Sequence, residues 1–295
     1  MAILPRNLVS PRAVGHRLDV IANPTRRRTM SAPHVPAEPA FSFAFQPIVD
    51  TVAHEVVAWE ALIRGMWDEP AWQVLNQISP LRLHLFDQTA RAAAIALAGR
   101  LGIDRPLHLN FLPQSLASYP KSLLTTLEAA HKAGLPIGRI VLEAPEAELV
   151  EERSHLAGLL KEYRKLGLQL AIDDFGAAWA DLNVLGDLQP DQIKLDMRLI
   201  RGIERPGARQ AIVRAIRLAC FELNIDVIAE GVETLAEYTW LADQNIRLFQ
   251  GYLFARPAFE AFPQAHFPQT AEEAAHAARP VASARPQSAR SKKRA

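Results

Sequence analysis

From Phe41 onward, short apolar runs alternate with stretches in which apolar residues recur every three or four positions. Short apolar runs are typical of buried strands, and the longer spacing is typical of helices that bury one face. The predicted strands are Phe41–Val49, Glu55–Ile63, Leu107–Phe111, Ile140–Ala144, Leu168–Ile172, Gln192–Asp196, Asp226–Ala229 and Leu248–Phe254. The predicted helices are Ala71–Ile78, Leu83–Leu101, Ser122–Ala133, Ser154–Leu166, Ala180–Asp187, Arg209–Leu223 and Thr234–Asp243.

This alternation predicts an α/β fold. Eight strands with intervening helices suit a TIM-like (β/α)₈ barrel better than an open doubly wound sheet. The connection between the first two strands, Asp50–His54, is too short for a parallel crossover, so the first strand is predicted to run antiparallel. No glycine-rich phosphate loop follows any predicted strand, which argues against a nucleotide-binding open sheet.

The composition divides the chain into a central barrel and two tails. Residues 41–262 carry the periodic pattern, whereas residues 1–40 and 263–295 are rich in Pro, Ala, Ser, Arg or Lys with little apolar pattern. That composition is typical of disordered segments, so we expect a disordered basic segment at each end. The tails are too short for a separate sensory or cyclase domain, and Met30 is an alternative start.

The formal net charge of +1 conceals an uneven distribution. Residues 1–30 hold six arginines and one aspartate, and residues 279–295 hold six Lys or Arg and no acid. The remaining residues therefore carry 21 basic and 31 acidic side chains, a net charge of −10. A basic tail can contact nucleic acid or anionic lipid. The composition favours dispensable disorder, and we expect no stable nucleic-acid or membrane partner.

Three features predict a soluble, cytoplasmic protein. The single cysteine, Cys220, excludes an internal disulfide framework, and its apolar neighbours predict a core position in a reducing compartment. The N-terminal segment lacks the sustained apolar stretch of a signal peptide. No apolar run approaches the ~18 residues that suggest a membrane span.

Two adjacent carboxylates follow the predicted buried strand Leu168–Ile172. Asp173 and Asp174 repel each other and lose hydration at a strand end, so the pair is unfavourable unless a cation lies between them. Hard oxygen ligands suit Mg²⁺, Mn²⁺ or Ca²⁺. Taken by itself, the stretch is equally consistent with an Asx turn or a helix N-cap, with Gly176 in a tight turn.

Polar residues also terminate the other predicted strands, and the carboxyl ends of parallel barrel strands converge on one face. These residues are Glu60, Asn110, Glu143, Asp173, Asp174, Lys194, Asp196, Glu230 and Gln250. Crowded carboxylates are unfavourable unless divalent cations bind them, and this number of acids suggests two metals about 3.5–4 Å apart. Lys194 either orients a metal-bound water or forms a salt bridge to one of the acids. Asp196 is the weaker candidate, since alternation along the strand can point it to the other face.

Several sequence blocks, in order and well spaced, resemble the signature of EAL-domain cyclic di-GMP phosphodiesterases. They are Gln46-Pro47-Ile48, Glu60-Ala61-Leu62-Ile63-Arg64-Gly65, Leu109-Asn110-Phe111-Leu112-Pro113, Glu143-Ala144-Pro145-Glu146, Asp173-Asp174-Phe175-Gly176, Ile193-Lys194-Leu195-Asp196, Ala229-Glu230-Gly231-Val232-Glu233-Thr234 and Gln250-Gly251-Tyr252-Leu253-Phe254. The match runs from about Phe41 to Pro257. A lone Glu-Ala-Leu tripeptide means little, but the blocks together are highly specific.

The resemblance implies an EAL barrel with an antiparallel first strand, two Mg²⁺ or Mn²⁺ ions, a homodimer, and hydrolysis of cyclic di-GMP to linear pGpG. By position, Glu60, Asn110, Glu143 and Asp173 would hold the first metal, and Asp173, Asp174 and Glu230 the second. The catalytic set would be Glu60, Asp174, Lys194 and Glu230, with Lys194 contacting the attacking water. The substrate would contact Gln46, Leu62, Arg64 and Gln250. The loop after the fifth strand would be braced by Glu146 and Glu233.

Two departures from the family pattern bear on activity. The loop that usually ends in Gly-Tyr here reads Ala177-Ala178-Trp179, and an alanine in place of a glycine with positive φ would be strained by about 1 kcal/mol. Pro145 replaces the usual Thr and removes a hydroxyl and a backbone donor. Neither change deletes a ligand, so an active enzyme is favoured. The alternative is a catalytically weak EAL module that binds cyclic di-GMP or a protein partner, and such a partner could also regulate the enzyme.

Overall fold

The strands and helices follow the predicted order along the chain. The computed structural model describes residues 39–113, 122–149, 153–177 and 181–268. The strands are β1 (Phe41–Asp50), β2 (Glu55–Gly65), β3 (Leu107–Asn110), β4 (Ile140–Pro145), β5 (Gln169–Phe175), β6 (Gln192–Leu195), β7 (Asp226–Ala229), β8 (Leu248–Phe249) and β9 (Ala258–Phe259). The helices are α1 (Ala71–Leu75), α2 (Leu83–Arg100), α3 (Ser122–Ala133), α4 (Arg153–Arg164), α5 (Leu182–Leu188), α6 (Met197–Ile200), α7 (Ala208–Leu223) and α8 (Leu235–Asp243).

Strands β1 to β8 close into a barrel, which confirms the predicted fold class. Strands β2 to β8 run parallel to one another in chain order. Strand β1 lies between β8 and β2 and is antiparallel to both, so the predicted reversal of the first strand is also confirmed. Strand β9 extends the sheet by pairing antiparallel with Ala44 and Phe45 of β1. The carboxyl ends of the parallel strands therefore meet at one rim.

The β1–β2 hairpin turns without a glycine. Asp50 pairs with Glu55, which leaves a four-residue connection. Within this turn His54 adopts a left-handed conformation at φ 54°. The Asp50 side chain accepts hydrogen bonds from the amides of Val52 and Ala53 at 2.9 and 3.0 Å. The Asp50 side chain thus stabilises a turn that lacks the usual glycine.

Most predicted strand ends differ from the structure by one to five residues, and β5 extends past its predicted end to include both Asp173 and Asp174. Strand β2 continues past Glu60 to Gly65, because β1 pairs with it along its whole length, so Glu60 lies inside the strand rather than at its end. Strand β8 stops at Phe249 instead of Phe254. Gly251 has φ +155°, and a Cβ atom there would lie 2.1 Å from the Val232 carbonyl oxygen, so the chain leaves the sheet at this close backbone contact.

Aromatic residues from the C-terminal segment pack against strands β1 and β2. The Phe262 ring lies 4.8 Å from that of Phe45 and 4.7 Å from that of Trp59. Packing continues beyond the predicted domain boundary at residue 262, since Phe267 contacts the core and the His266 amide donates to the Phe254 carbonyl oxygen at 2.8 Å. The barrel unit therefore includes residues up to at least 267.

Several sequence-based expectations fall outside the described residues. These include the two tails at residues 1–38 and 269–295, and the loop positions Ala178 and Trp179. Within the described residues, Cys220 is buried in α7, as its apolar neighbours predict. None of the described helices combines the length and the apolar character needed to cross a lipid bilayer.

Candidate active site

Lys194 lies at the centre of the acids that gather at the rim. Its side chain on β6 is fully buried. Its Nζ lies 3.0 Å from Glu60 Oε2, 3.2 Å from Glu143 Oε1, 3.3 Å from Asp173 Oδ1 and 3.6 Å from Glu230 Oε2. These acids come from β2, β4, β5 and the residue after β7. The closed barrel thus brings together charges that are far apart in the sequence.

Burial and charge shift the pKa values of this cluster. Burial, together with repulsion from Glu143, raises the pKa of Glu60 to about 7. Burial likewise raises the pKa of Glu143 to about 7. Burial also raises the pKa of Glu230 well above its usual value, since attraction to Lys194 only partly opposes it. The pKa of Asp173 is lowered, because attraction to Lys194 and hydrogen bonds outweigh the effect of burial. The surrounding carboxylates raise the pKa of Lys194 well above its usual value against the effect of burial.

A β-bulge in β5 brings two neighbouring acids into the site. The pairing of β5 with β6 shifts register between Ile172 and Phe175, and Asp174 adopts a left-handed conformation at φ 53°. Consecutive strand side chains normally alternate between faces, so this irregularity lets both Asp173 and Asp174 approach Glu230. One oxygen from each of these three carboxylates lies within 4.8 Å of the other two. Burial and repulsion from Asp173 raise the pKa of Asp174 to about 6.

Several buried oxygens of the site have no hydrogen-bond partner among the described residues. They are Glu143 Oε2, Asp173 Oδ1, Glu230 Oε2 and Gln250 Oε1, of which Asp173 Oδ1 and Glu230 Oε2 form ion pairs with Lys194. Leaving a buried polar atom without a partner costs about 1–3 kcal/mol. Carboxylate and amide oxygens grouped in this way are the ligands that Mg²⁺ and Mn²⁺ prefer. The donor set therefore fits divalent cations.

The Gln250 side chain links Glu60 to Gln46. Gln250 Nε2 donates to Glu60 Oε2 at 2.6 Å and to Gln46 Oε1 at 3.4 Å. Gln46 Nε2 donates in turn to the Ala255 carbonyl oxygen at 3.0 Å. Because Glu60 Oε2 also accepts from Lys194, two donors fix this oxygen.

The other predicted ligand and substrate positions lie on β2 and β3. Asn110 is the exposed last residue of β3 and is in register with Glu143 on β4. Leu62 and Arg64 lie in the second half of β2 and are partly buried. Arg64 Nε lies 3.5 Å from Asp68 Oδ1, and this aspartate is more than half exposed. Arg64 thus pairs with an exposed acid, which an anionic ligand can displace.

The two predicted bracing residues contact different segments. The Glu146 carboxylate accepts hydrogen bonds from the amides of Gly176 at 2.8 Å and Asp181 at 2.9 Å, on either side of residues 178–180. Glu233 instead forms an ion pair with Arg201 at 2.9 Å, in the segment after α6. Glu146 therefore holds both ends of the loop after β5. Glu233 instead contacts Arg201, which lies after β6 and α6.

Asp196 caps a helix rather than ending β6, so the predicted strand end is wrong by one residue. Its Oδ1 accepts from the Arg198 amide at 2.7 Å at the N-terminus of α6. The Arg198 guanidinium pairs with both carboxylate oxygens, at 2.9 and 3.2 Å. The Asp196 carboxylate also lies near Asp174 and adds to the rise in that group's pKa.

Sequence reasoning missed His108 on β3. Its side chain is buried, and its Nδ1 lies 2.7 Å from Glu143 Oε1. Burial and the charge of Lys194 lower the pKa of His108 to about 3, so the imidazole is neutral. The available signal was its position two residues before Asn110, since alternate residues of a strand share a face.

Comparison with known sequences identifies the family. The family described as "EAL domain" matches residues 33–257. The chain is 33% identical over 228 residues to the blue light- and temperature-regulated antirepressor BluF of Escherichia coli, covering 77% of this chain and 57% of BluF. It is 31% identical over 235 residues to the probable cyclic di-GMP phosphodiesterase PdeN of the same species, covering 74% of this chain and 43% of PdeN. The chain spans about half the length of these curated relatives.

Solved structures share the barrel. A standalone versatile EAL protein from Vibrio cholerae, in its c-di-GMP-bound form, is 42% identical with a TM-score of 0.74, covering 78% of this chain and 98% of that one. Klebsiella pneumoniae BlrP1, in a manganese/cy-diGMP complex, is 38% identical with a TM-score of 0.74, covering 80% of this chain and 60% of that one. The sequence match and the shared fold agree, and the chain belongs to the EAL domain family.

Proposed function

We propose that this chain is a metal-dependent phosphodiesterase that hydrolyses cyclic di-GMP to linear pGpG. The observation that carries the proposal is the cluster of four carboxylates within 3.6 Å of Lys194, several of whose oxygens lack a hydrogen-bond partner among the described residues. Such a cluster is suited to divalent cations and, once they are bound, to an anionic phosphodiester.

The relatives support this assignment. PdeN is named as a probable cyclic di-GMP phosphodiesterase, and the Vibrio cholerae EAL protein was solved with c-di-GMP. BlrP1 was solved with cy-diGMP in complexes with manganese and with calcium. By similarity to these proteins, the cluster around Lys194 would bind cyclic di-GMP and divalent metal ions.

Two divalent cations, Mg²⁺ or Mn²⁺, are proposed as cofactors. The first would be held by Glu60, Asn110, Glu143 and Asp173, and the second by Asp173, Asp174 and Glu230. Bound divalent cations supply a water with a pKa near neutrality and neutralise charge that develops on phosphoryl oxygens. Since the described part of the barrel is rich in acids, the cations would also make the site acceptable to a dianionic substrate.

The chain's own residues would orient the reactants. Lys194 is positioned to donate to the attacking water, because its Nζ lies among the proposed ligands. Gln250 donates to Glu60 and to Gln46, and both glutamines would contact the substrate. Arg64 offers a guanidinium to a phosphate, which it can bind with two hydrogen bonds. Leu62 would line the same path, and Glu146 would position the loop after β5.

We propose a cytoplasmic protein that forms a homodimer, as the family resemblance implies, with a disordered basic segment at each end of the barrel. A protein partner would be one route for regulation. We expect the protein not to associate stably with nucleic acid or membranes.

The test is turnover of cyclic di-GMP by the full-length chain with Mg²⁺ or Mn²⁺, with pGpG followed by chromatography. Glu60→Ala is expected to abolish product, since it removes a proposed ligand. Glu55→Ala is the matched control on the same strand, because Glu55 is exposed and pairs with Arg105 at 3.2 Å. Ca²⁺ is expected to support less turnover, since it activates water less well. Product from Glu60→Ala at the wild-type rate would contradict the metal assignment.

A second candidate is a weakly catalytic EAL module that binds cyclic di-GMP or a protein. It is favoured by the 33% identity to BluF, which is named as an antirepressor, and by Ala177 and Ala178 in the altered loop. The same experiment separates the two. Binding of cyclic di-GMP without pGpG in the presence of either metal would support the receptor.

A further inference from the structure

The Glu143 carboxylate is held at one of its two oxygens. Oε1 lies 2.7 Å from His108 Nδ1 and 3.2 Å from Lys194 Nζ. Oε2 is buried and has no hydrogen-bond partner among the described residues. The His108 and Glu143 side chains are 1% and 0% exposed, so water does not compete for these contacts. The two oxygens of one carboxylate therefore have different environments.

The contact defines which imidazole nitrogen carries the proton. A metal ligand must be deprotonated, and an ionised carboxylate oxygen only accepts hydrogen bonds. With a metal bound, Glu143 is ionised, and His108 Nδ1 at 2.7 Å from its Oε1 is then the donor. The common alternative, a neutral imidazole protonated at Nε2, would place two acceptors in contact.

His108 and Lys194 differ in how they act on Glu143. Lys194 contacts the same Glu143 oxygen, Oε1, at 3.2 Å, but it divides its contacts among four carboxylates. His108 lies on β3, which pairs directly with β4, and its ring is buried against the Glu143 side chain. Groups mounted on adjacent strands are held more accurately than groups on loops.

We propose that His108 is a positioning residue of the metal centre, which engages Glu143 Oε1 through Nδ1–H and so presents Oε2 to the cation. This inference rests on the proposed role of Glu143 as a metal ligand. Hydrogen-bond partners of metal ligands typically contribute about 10- to 100-fold to metal affinity. The contribution of His108 is expected in that range.

The test is calorimetric titration of the full-length protein with Mn²⁺ in the absence of substrate. His108→Leu removes the donor and is expected to weaken binding about 10- to 100-fold. His108→Asn is expected to restore most of the affinity, since the Asn Nδ2 occupies nearly the position of the imidazole Nδ1 and also donates. His131→Leu, at an exposed position of α3, makes the same substitution away from the site and is expected to bind like the wild type.

Two results would overturn the inference. The first is a Mn²⁺ affinity of the His108→Leu variant equal to that of the wild type. The second is a Mn²⁺ affinity of the His108→Asn variant as low as that of His108→Leu. If His108→Leu does not fold, ¹⁵N NMR of the Mg²⁺-bound wild type decides, since Glu143 is then ionised and protonation of His108 at Nε2 instead of Nδ1 excludes the proposed contact. A wild type that binds Mn²⁺ but makes no pGpG would contradict the proposed function and leave the role of His108 intact.

Discussion

Lys194 Nζ and Glu60 Oε2 lie 3.0 Å apart inside the barrel, and both side chains are almost completely buried. This contact matters because the same ammonium group also lies near three other carboxylates. A buried charge without a partner is unfavourable by several kcal/mol. Lys194 therefore balances the acidic cluster in the metal-free protein, in addition to its proposed role beside the attacking water.

Replacing this lysine with a neutral residue is expected to destabilise the metal-free protein. Lys194→Met leaves the four carboxylates without their shared cation, and loss of one partner from a buried charged group costs about 3–5 kcal/mol. Chemical denaturation in the presence of a chelator measures the change. Mn²⁺ is expected to recover part of the loss, since a cation then takes over the charge balance and ligand binding stabilises the folded state.

Lys165→Met is the matched control for this measurement. Lys165 pairs with Glu162 at 2.7 Å, but both side chains are about two-thirds exposed. Exposed pairs contribute about 0–1 kcal/mol, so this variant is expected to unfold like the wild type. Equal effects of the two substitutions would show that Lys194 does not balance the cluster.

Metal binding is expected to release protons. The pKa values of Glu60 and Glu143 are raised to about 7, so below that pH both carboxyls are largely protonated and a cation must displace the protons. Apparent Mn²⁺ affinity is therefore expected to rise as the pH increases from about 5 to 7 and to level off above it. Calorimetry in buffers of different ionisation enthalpy counts the protons. An affinity that does not change across this range would contradict ligation by these carboxylates.

The sequence predicted the barrel because nearly every strand is a short apolar run, and β7 was predicted with both ends correct. It predicted the acids of the rim because they follow those runs. It could not predict the bulge that turns Asp174 toward Glu230, since a left-handed aspartate in a strand depends on the pairing of β5 with β6. Nor could it predict the end of β8 at Phe249, which depends on a contact between Gly251 and a distant backbone.

His108 shows a different limit. Its side chain shares a strand face with Asn110, so the sequence contained the information that places it near the site. A lone histidine in a strand is nonetheless more often a core residue than a functional one, and its partner Glu143 lies on another strand. The register between β3 and β4 places His108 opposite Val141 and Glu143 opposite Asn110, so only the side-chain contact identifies the pair.

Glu146 is expected to control the order of the loop after β5. Its carboxylate accepts from the Gly176 and Asp181 amides, so Glu146→Ala removes an acceptor at both ends of the loop. Amide hydrogen exchange at those two residues is expected to accelerate. Glu146→Gln keeps one oxygen acceptor and is expected to give an intermediate result. Unchanged exchange in Glu146→Ala would show that other contacts hold the loop.

Gly251 is expected to tolerate no side chain. A Cβ atom there would lie 2.1 Å from the Val232 carbonyl oxygen and 2.4 Å from its amide nitrogen, and the φ of +155° is one that L-residues rarely adopt. Alanine at a glycine position with incompatible backbone geometry destabilises by more than about 1 kcal/mol. Gly251→Ala is also expected to displace the adjacent Gln250 and thereby weaken its hydrogen bond to Glu60.

Gly186→Ala provides the matched control for the same substitution. Gly186 lies in α5, and a Cβ atom added there would have no atom of the described residues within 4 Å beyond its own helix and chain neighbours. Alanine in place of glycine in a helix is expected to stabilise the protein by about 0.5–1 kcal/mol. Opposite signs for the two variants in chemical denaturation would therefore separate the backbone contact at Gly251 from a general effect of replacing glycine, because the added atom is identical and only its surroundings differ.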